Sequence, residues 1–223
     1  MTARTVLIDE DGVHTFVWSL VLPVKRLDSA KSRLRGSAAP YRAELALAFA
    51  ADTVAAAVAT AGVQTVVVVT DDRTVAESTA TLGAHVVYDE PDAGLNAALA
   101  WGADVAREDA PHAGVAALSA DLPALRPAEL AEVLAFAGTT PGAVVVADAH
   151  GSGTTAYLAA ATVPFLPAFG VDSLQAHLAG GAIAFAGDAP SVRRDVDTLE
   201  DLWAAVALGV GPHTAAVVRS MQS

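Results

Sequence analysis

A cluster of basic residues stands out in an otherwise acidic chain. Five of the 13 lysines and arginines fall in the eleven positions from Lys25 to Arg35. The cluster follows an apolar run that predicts a strand, and we expect it to open a helix whose N-terminal N–H groups favour anions. Positive charge at this point predicts a polyphosphate site, with a solvated basic helix face as the alternative. The chain has no G-x-x-x-x-G-K-[ST] motif, so a P-loop NTPase is excluded.

Three aspartates are candidates for holding a divalent cation. Asp121 follows a predicted strand at 115–118, and Asp195 and Asp197 are two residues apart in a segment that we expect to be extended. Side chains at that spacing project to one side. Hard cations such as Mg²⁺ prefer oxygen ligands, so these carboxylates would form a reasonable cage. The alternatives are structural, because Asp121 could cap a helix or turn, and Asp197 or Thr198 could cap a helix that begins near residue 198.

A small, hydroxylated loop is predicted after the fifth strand. It covers 148–155 and reads Asp-Ala-His-Gly-Ser-Gly-Thr-Thr, which allows a backbone to approach an anion closely. Further along the chain, Gly170 can present its N–H without side-chain hindrance, and Ser173 offers a hydroxyl near a helix start. Ordinary turn residues and a helix cap are the alternative interpretation.

The same loop also fits a dinucleotide-binding pattern, which we interpret as a false signal. Residues 151–156 match G-x-G-x-x-A, and Asp172 follows about twenty residues later, as in that fingerprint. However, the pattern comes after the fifth predicted strand rather than the first. Pro164 and Pro167 would also interrupt the crossover helix that it should open.

Gly94 and Asn96 stand directly before an alanine-rich helical segment. The amide of Asn96 can both donate to and accept from a purine edge, although a residue of the first helical turn is the simpler interpretation.

Other chemistries find no support in the sequence. It has no cysteine, no pair of histidines at i,i+4 and no G-x-S-x-G motif, so a thiolate nucleophile, a His-rich metal site and a serine hydrolase are not predicted.

The elements that must position these residues alternate between strand and helix. The predicted strands are 16–22, 63–69, 84–87, 115–118, 143–146 and 182–185. The predicted helices lie near 41–60, 73–82, 93–108, 127–137, 172–179 and 198–208. This alternation predicts an α/β fold, a single-domain three-layer α/β/α sandwich with a mainly parallel, Rossmann-like sheet. Ligands of such sheets bind at the carboxyl ends of the strands, where the candidate residues lie.

Composition limits the partners of the chain. Its 223 residues include 25 acidic side chains and carry a net charge of −12, which argues against nucleic-acid binding through the general surface field. The uncharged stretches 53–70 and 149–171 contain glycine, proline or polar residues, so no membrane span is predicted. Residues 1–14 are predicted to be a flexible arm before one domain at 15–223. The acidic residues at 9–11 argue against a signal peptide and favour a cytoplasmic protein.

Several motifs together resemble a known enzyme family. The opening L-P-V-K-R-L-D-S-A-K-S-R-L at 22–34 is very similar to that of the guanylyltransferases that build coenzyme F420, within the molybdopterin-guanylyltransferase-like class. Further matches follow in order: G-L-N-A-A-L at 94–99, S-A-D-L-P-A-L at 119–125, G-S-G-T-T at 151–155, F-G-V-D-S-L-Q-A-H at 169–177 and D-V-D-T-L-E-D-L at 195–202. The resemblance covers about residues 16–208. It implies a fold of the nucleotide-diphospho-sugar transferase type.

The resemblance also implies roles for individual residues. It implies GTP binding by Pro23, Lys25, Lys31, Arg33, Gly94 and Asn96. It implies Mg²⁺ as the cofactor, held by Asp121, Asp195 and Asp197. It implies a phospho-acid acceptor held by Thr155, Gly170 and Ser173. Within this set, Lys25, Lys31 and Asp121 are the implied catalytic group.

The implied reaction is the transfer of GMP from GTP to the phosphate of phosphoenolpyruvate in coenzyme F420 biosynthesis. The products would be enolpyruvoyl-2-diphospho-5'-guanosine and pyrophosphate. 2-Phospho-L-lactate and 3-phosphoglycerate are alternative acceptors, and a downstream transferase of the same pathway is a candidate partner. A non-catalytic nucleotide-sensing module on the same fold is the alternative from a different class.

Overall fold

A seven-stranded sheet forms the centre of the fold. The structure is a computed structural model that describes residues 7–8, 14–28, 30–31, 33–90 and 92–222. Two short strands, β1 (Leu7–Ile8) and β2 (His14–Thr15), form a separate antiparallel pair. The strands of the main sheet are β3 (Trp18–Pro23), β4 (Val63–Val69), β5 (His85–Val87), β6 (Gly114–Leu118), β7 (Val144–Ala147), β8 (Thr154–Ala159) and β9 (Ile183–Ala184).

The helices connect these strands and cover the sheet. A 3₁₀ helix at Gly36–Tyr41 leads directly into the first α-helix. The α-helices are α1 (Arg42–Val58), α2 (Arg73–Thr81), α3 (Leu95–Asp109), α4 (Pro127–Thr139), α5 (Ser173–Ala179), α6 (Pro190–Arg193), α7 (Leu199–Leu208) and α8 (Pro212–Met221). Among the described helices, none is long and apolar enough to cross a membrane.

The strand order is β5-β4-β3-β6-β8-β7-β9, with β3 near the middle. It pairs in parallel with β4 on one side and β6 on the other, whereas β8 runs antiparallel to both of its neighbours. The carboxyl ends of β3, β4 and β6 therefore meet at one edge of the sheet. Loops from separate parts of the sequence come together at that edge.

Apolar side chains fill both faces of the sheet. On one face, α1 and α4 pack through residues such as Val54 and Leu130, and on the other face α3 packs through Leu99. Gly102 allows α3 to lie directly on the sheet, since a Cβ there would collide with Val21 and Val69. The close approach sets the position of the first turn of α3 at the carboxyl edge of the sheet.

The predicted α/β fold with a mainly parallel sheet is confirmed. All six predicted strands and all six predicted helices are present, with bounds within two residues of the prediction. The 3₁₀ helix, α6 and α8 were not predicted. The proposed arm at 1–14 lies mostly outside the described residues, and its boundary falls within β2.

The prediction of a loop at 148–155 is wrong at its end, because Thr154 and Thr155 begin β8. The prediction assumed that a helix separates successive strands, but an antiparallel strand needs only a tight turn. Gly151 and Gly153 supply that turn, and a strand rather than a helix follows. The G-x-G-x-x-A pattern therefore lacks the strand–turn–helix context that a dinucleotide-binding loop requires.

Candidate active site

A cleft of about 430 Å³ opens at the carboxyl ends of β3 and β6. Its walls include six residues that the sequence singled out: Pro23, Lys25, Lys31, Arg33, Asp121 and Asp197. Leu95, Leu99 and Phe169 form an apolar part of the same cleft. Cationic side chains, carboxylates and an apolar wall thus line one cleft, which is the combination that binding of a nucleoside triphosphate needs.

The basic segment does not open a helix, contrary to prediction. The described part of Lys25–Arg35 consists of turns and irregular backbone, and Lys31 adopts a left-handed conformation with φ of 53°. A helix cannot continue through a residue in that conformation. The fully buried side chain of Leu34 anchors the end of the segment in a small core with α1 and α7.

The start of the basic segment is fixed by Asp72, which follows β4. The Asp72 carboxylate accepts from the backbone N–H groups of Thr74 and Val75 and so caps α2. It also accepts from the N–H of Leu27 at 2.9 Å. These hydrogen bonds outweigh the effect of burial and lower the pKa of Asp72, so the anchor stays ionised. One carboxylate thereby ties the cationic loop to the neighbouring strand.

Asp121 and Asp197 are brought together by a backbone contact between their segments. The N–H of Val196 donates to the carbonyl of Asp121 at 3.1 Å. The N–H of Leu122 donates to Thr53 Oγ1 of α1 at 3.0 Å, which fixes the loop after β6. The alternative role for Asp197 as a helix cap is not observed, because Thr198 caps α7 together with Asp201.

Lys31 links the two carboxylates. Its Nζ donates to Asp121 and lies 3.2 Å from Asp197 Oδ1. Burial alone would lower the pKa of Lys31, but its attraction to Asp121 and Asp197 prevails and raises it. Arg33 Nη1 also lies 3.2 Å from Asp197 Oδ2. Two cations of the basic segment are therefore already engaged with the carboxylates across the cleft.

Asp195 is a buried carboxylate close to other aspartates. Burial, followed by repulsion from Asp121, Asp197 and Asp148, raises its pKa to about 7. Among the described residues, no three acidic or histidine side chains already surround one point as a metal site. The donor set is nevertheless all carboxylate, and its negative charge is only partly balanced by Lys31. Such a set fits a hard divalent cation better than a soft one.

The raised pKa of Asp195 predicts a pH-dependent cost to stability. The folded, metal-free chain retains a proton that the unfolded chain releases above the ordinary pKa of 3.8, so the free energy of unfolding falls as pH rises from there to about 7. Asp195→Asn should therefore raise the melting temperature at about pH 8 and have little effect at about pH 4. Thermal melts with a chelator present would measure this difference.

The exposed Asp188 provides a matched control for this experiment. Asp188→Asn removes one carboxylate of the same kind outside the cleft and should leave the pH dependence of the melting temperature unchanged. If Asp195→Asn shifts the melting temperature equally at both pH values, the carboxylate cluster is not the source of the cost.

The three residues predicted for the acceptor lie beside the cleft rather than on its walls. Thr155 is fully buried, and its hydroxyl has no hydrogen-bond partner among the described residues. Its carbonyl accepts from the N–H of Ser119, a residue of the cleft, at 2.8 Å. Gly170 is exposed with φ of 148°, and Ser173 is 2% exposed at the start of α5. Gly170 directly follows Phe169, which lines the cleft.

The two residues predicted near the nucleotide base have different surroundings. Gly94 precedes α3 with φ of 94°, a conformation that glycine adopts at little cost. Asn96 does not present a free amide, since its Nδ2 donates to the carbonyl of Phe169 and its Oδ1 accepts from the N–H of Phe169. Its assignment as a base-reading residue stays a prediction.

Sequence reasoning missed Phe169 and His177. Both stand in the motif at 169–177, but an aromatic residue in a loop and a lone histidine gave no specific chemical signal. In the structure, Phe169 lines the cleft and packs edge-on against His177, with ring centroids 5.2 Å apart.

The fold and the site together define a nucleotidyltransferase. Solved structures with the same fold include a nucleotidyl transferase from Methanothermobacter thermautotrophicus, with a TM-score of 0.62 and 20% identity over 86% of this chain and 97% of that one. A cytidylyltransferase from Leptospira borgpetersenii has a TM-score of 0.55 and 10% identity over 93% of this chain and 94% of that one. These similarities establish the fold, and the cleft of this chain contains the cations and carboxylates described above.

The chain belongs to the family of CofC-like guanylyl transferases, whose family model matches residues 18–222. The phosphoenolpyruvate guanylyltransferase of Thermomonospora curvata is 57% identical over 205 residues, covering 92% of this chain and 90% of that protein. The protein of the same name from Streptomyces coelicolor is 57% identical over 202 residues, covering 90% of this chain and 95% of that protein. The family predicted from the sequence is confirmed.

Proposed function

We propose that this chain transfers GMP from GTP to the phosphate of phosphoenolpyruvate and releases pyrophosphate. Nucleotidyl transfer is supported by the cleft, which is lined by Lys25, Lys31 and Arg33 together with Asp121 and Asp197. Phosphoenolpyruvate as the acceptor is supported by the names of relatives that are 57% identical to the chain. The organic product would be enolpyruvoyl-2-diphospho-5'-guanosine.

The reaction needs no protein base, because the attacking phosphate oxygen of the acceptor is already anionic. A bond forms between that oxygen and the α-phosphorus of GTP. The bond from the α-phosphorus to the oxygen that bridges it to the β-phosphorus breaks, and its electrons leave with pyrophosphate. Catalysis then depends on positioning and on neutralising charge. Lys25 and Lys31 would stabilise the negative charge that develops on the departing pyrophosphate.

We further propose that Asp121, Asp195 and Asp197 hold Mg²⁺ during turnover. Bound Mg²⁺ would act as a Lewis acid toward the phosphate oxygens. Lys31 now engages Asp121 and Asp197, so these carboxylates become available to a metal ion only when the ammonium group turns toward the triphosphate. Asp195 must also lose its proton, since a carboxylate binds metal in its ionised form.

The acceptor would be held by Thr155, Gly170 and Ser173. The buried hydroxyl of Thr155 is free to donate to an acceptor anion, because no described group engages it. Thr155→Val keeps the shape of the side chain and removes this donor. We expect it to raise the KM for phosphoenolpyruvate about 10- to 150-fold, since a hydrogen bond to a charged group contributes about 1.5–3 kcal/mol. The KM for GTP should change little.

Steady-state kinetics and thermal melts would check the Thr155 prediction. Thr155→Val should not lower the melting temperature, because it removes a buried hydroxyl that has no partner in the described structure. Thr65→Val, at the other end of the parallel strands on β4, serves as the control. An equal rise in both KM values would contradict an acceptor-specific role for Thr155.

Mass spectrometry of the products decides among the candidate functions. The protein would be incubated with GTP, Mg²⁺ and, in turn, phosphoenolpyruvate, 2-phospho-L-lactate or 3-phosphoglycerate. A guanylylated product with phosphoenolpyruvate is expected. A product with only another acceptor would overturn the assigned substrate, and GTP binding without any product would favour the sensing module.

The proposed substrates also bear on location and partners. GTP and phosphoenolpyruvate are intracellular metabolites, so we assign the enzyme to the cytoplasm. Its product is an activated diphosphate ester, which a downstream transferase of the coenzyme F420 pathway would consume.

A further inference from the structure

The segment Ala168–Gly170 is held firmly at its centre although its flanks face solvent. Leu166 and Val171, on either side, are 71% and 94% exposed. Between them, Phe169 lines the cleft and Gly170 carries the N–H predicted to bind the acceptor. Leu166 and Val171 therefore do little to fix this stretch, and its position depends on the packing of Phe169 and on backbone hydrogen bonds.

His177 of α5 holds the first residue of this segment. The N–H of Ala168 donates to His177 Nε2 at 2.8 Å. Because a backbone N–H can only donate, Nε2 must be unprotonated, and the ring proton belongs on Nδ1. Nδ1 lies 3.1 Å from Thr154 Oγ1, within hydrogen-bond distance. A single imidazole thus joins the segment to the first residue of β8.

The surroundings of His177 favour the neutral form that this arrangement requires. The residue is 2% exposed, and its ring stacks on Tyr157 with centroids 4.6 Å apart. Burial lowers the pKa of His177 and prevails over a hydrogen bond to the carbonyl of Ser173, which raises it. The imidazole therefore remains an acceptor for the Ala168 N–H near neutral pH.

Asn96 of α3 holds the next residue from the opposite side. Its Nδ2 donates to the carbonyl of Phe169 at 2.9 Å, and its Oδ1 accepts from the N–H of Phe169 at 2.8 Å. The backbone N–H and C=O of Phe169 are thus both hydrogen-bonded to one amide side chain. Asn96 and His177 together fix two successive residues immediately before Gly170.

We propose that His177 and Asn96 are positioning residues that set the Gly170 N–H beside the cleft, next to Phe169 of its wall. The inference rests on the proposed function, because it assigns the acceptor to Gly170 and its neighbours. The pairing of β7 with β8 supports the link, since it passes from Ala156 directly to Thr154 and skips Thr155. Thr155 is therefore left without a pairing partner on β7, and it directly follows Thr154, the residue that His177 contacts. Misplacement of a reacting group by about 1 Å can cost ~10²-fold in rate.

Two substitutions of His177 separate its two contacts. His177→Gln places an amide oxygen near the position of Nε2 and keeps an acceptor for Ala168. His177→Asn places an amide group near Nδ1 and leaves Ala168 without its partner. We expect His177→Asn to raise the KM for phosphoenolpyruvate about 5- to 50-fold, with the KM for GTP within about twofold of wild type. His177→Gln should stay within about threefold of wild type for both substrates.

Amide hydrogen exchange, followed by NMR, gives a readout that does not depend on turnover. The Ala168 amide should exchange at least about tenfold faster in His177→Asn than in wild type, and at nearly the wild-type rate in His177→Gln. Gln175→Ala, on the exposed side of α5, is the control and should change neither exchange nor KM. Identical behaviour of the two His177 variants would overturn its assigned role.

Asn96→Ala tests the second contact, and it keeps the proposal testable if His177→Asn does not fold. Alanine suits the first turn of α3, so the helix should persist. The Phe169 amide should exchange faster, and the KM for phosphoenolpyruvate should rise about 5- to 50-fold while that for GTP stays near wild type. Asp104→Ala, exposed on α3, is the control. A rise confined to the KM for GTP would assign Asn96 to the base and overturn its positioning role.

The two readouts separate this inference from the proposed function. If wild type forms no product from phosphoenolpyruvate, the proposed function fails, while faster amide exchange in His177→Asn and Asn96→Ala would still support the positioning of the segment. If wild type is active and neither variant changes exchange or the KM for the acceptor, the positioning role is wrong.

Discussion

Asp121→Asn is expected to reduce kcat at least about 10²-fold while leaving the chain folded. Asparagine has nearly the same shape but removes the negative charge that would help to hold Mg²⁺. The loop after β6 should persist, because its hydrogen bonds to Thr53 and Val196 are made by its own backbone and not by the Asp121 side chain. Release of pyrophosphate from GTP in the presence of phosphoenolpyruvate measures the loss.

A second measurement shows whether this loss arises from the carboxylate cluster. Asp121 is one of the charges that raise the pKa of Asp195, so its removal should move that pKa back toward the ordinary value. The melting temperature of metal-free Asp121→Asn should then depend less on pH near neutrality than that of wild type. Asp104→Asn, outside the cleft, is the control. Near wild-type kcat in Asp121→Asn would contradict a role for this residue in metal binding.

The sequence predicted the parallel part of the sheet well because its signals are local. The run Val66-Val67-Val68-Val69 is β-branched and fully apolar, as a strand buried on both faces must be. Strands of this kind also reveal the functional edge, since the residues that follow them share one end of the sheet. Lys25, Lys31, Asp121 and Asp197 could therefore be predicted to share a site, and all four line the cleft.

The antiparallel strand β8 could not be predicted by the same reasoning. It follows Gly151 and Gly153, and the small, hydroxylated residues at 148–155 predict a loop. The β-forming character of Thr154, Thr155 and Tyr157 was present but was outweighed by these turn residues. The strand pairs with β7 across the tight turn at Gly151 and Gly153, and with β6 from a distant part of the chain. The pairing with β6 leaves no local signal.

The detailed contacts of the site also depend on long-range geometry. The sequence predicts a helix at Lys31, but its backbone is left-handed and its ammonium meets Asp121 and Asp197, which lie 90 and 166 positions away in the sequence. Asn96 meets Phe169 across 73 positions. Residue types alone show what such groups can bind. The partner that each one finds is decided by how helices and loops pack at the edge of the sheet.

Lys31→Met is expected to have two opposite effects, which together identify the role of this side chain. Turnover should fall at least about 10²-fold, because the charge on the departing pyrophosphate loses a stabilising cation. In the absence of nucleotide, the affinity for a divalent cation should instead rise at least about tenfold. The reason is that the ammonium now engages Asp121 and Asp197, and its removal leaves Asp121 without this cation and Asp197 with only the exposed Arg33.

Titration with Mn²⁺, followed by electron paramagnetic resonance, measures the metal affinity without turnover. Arg35→Met removes one positive charge from the exposed end of the same segment and should change neither property. Lys31→Arg keeps the positive charge, so its metal affinity should stay close to that of wild type. Weaker Mn²⁺ binding by Lys31→Met would contradict the assignment, because it would mean that the lysine supports the metal site rather than competing with the metal ion for the same carboxylates.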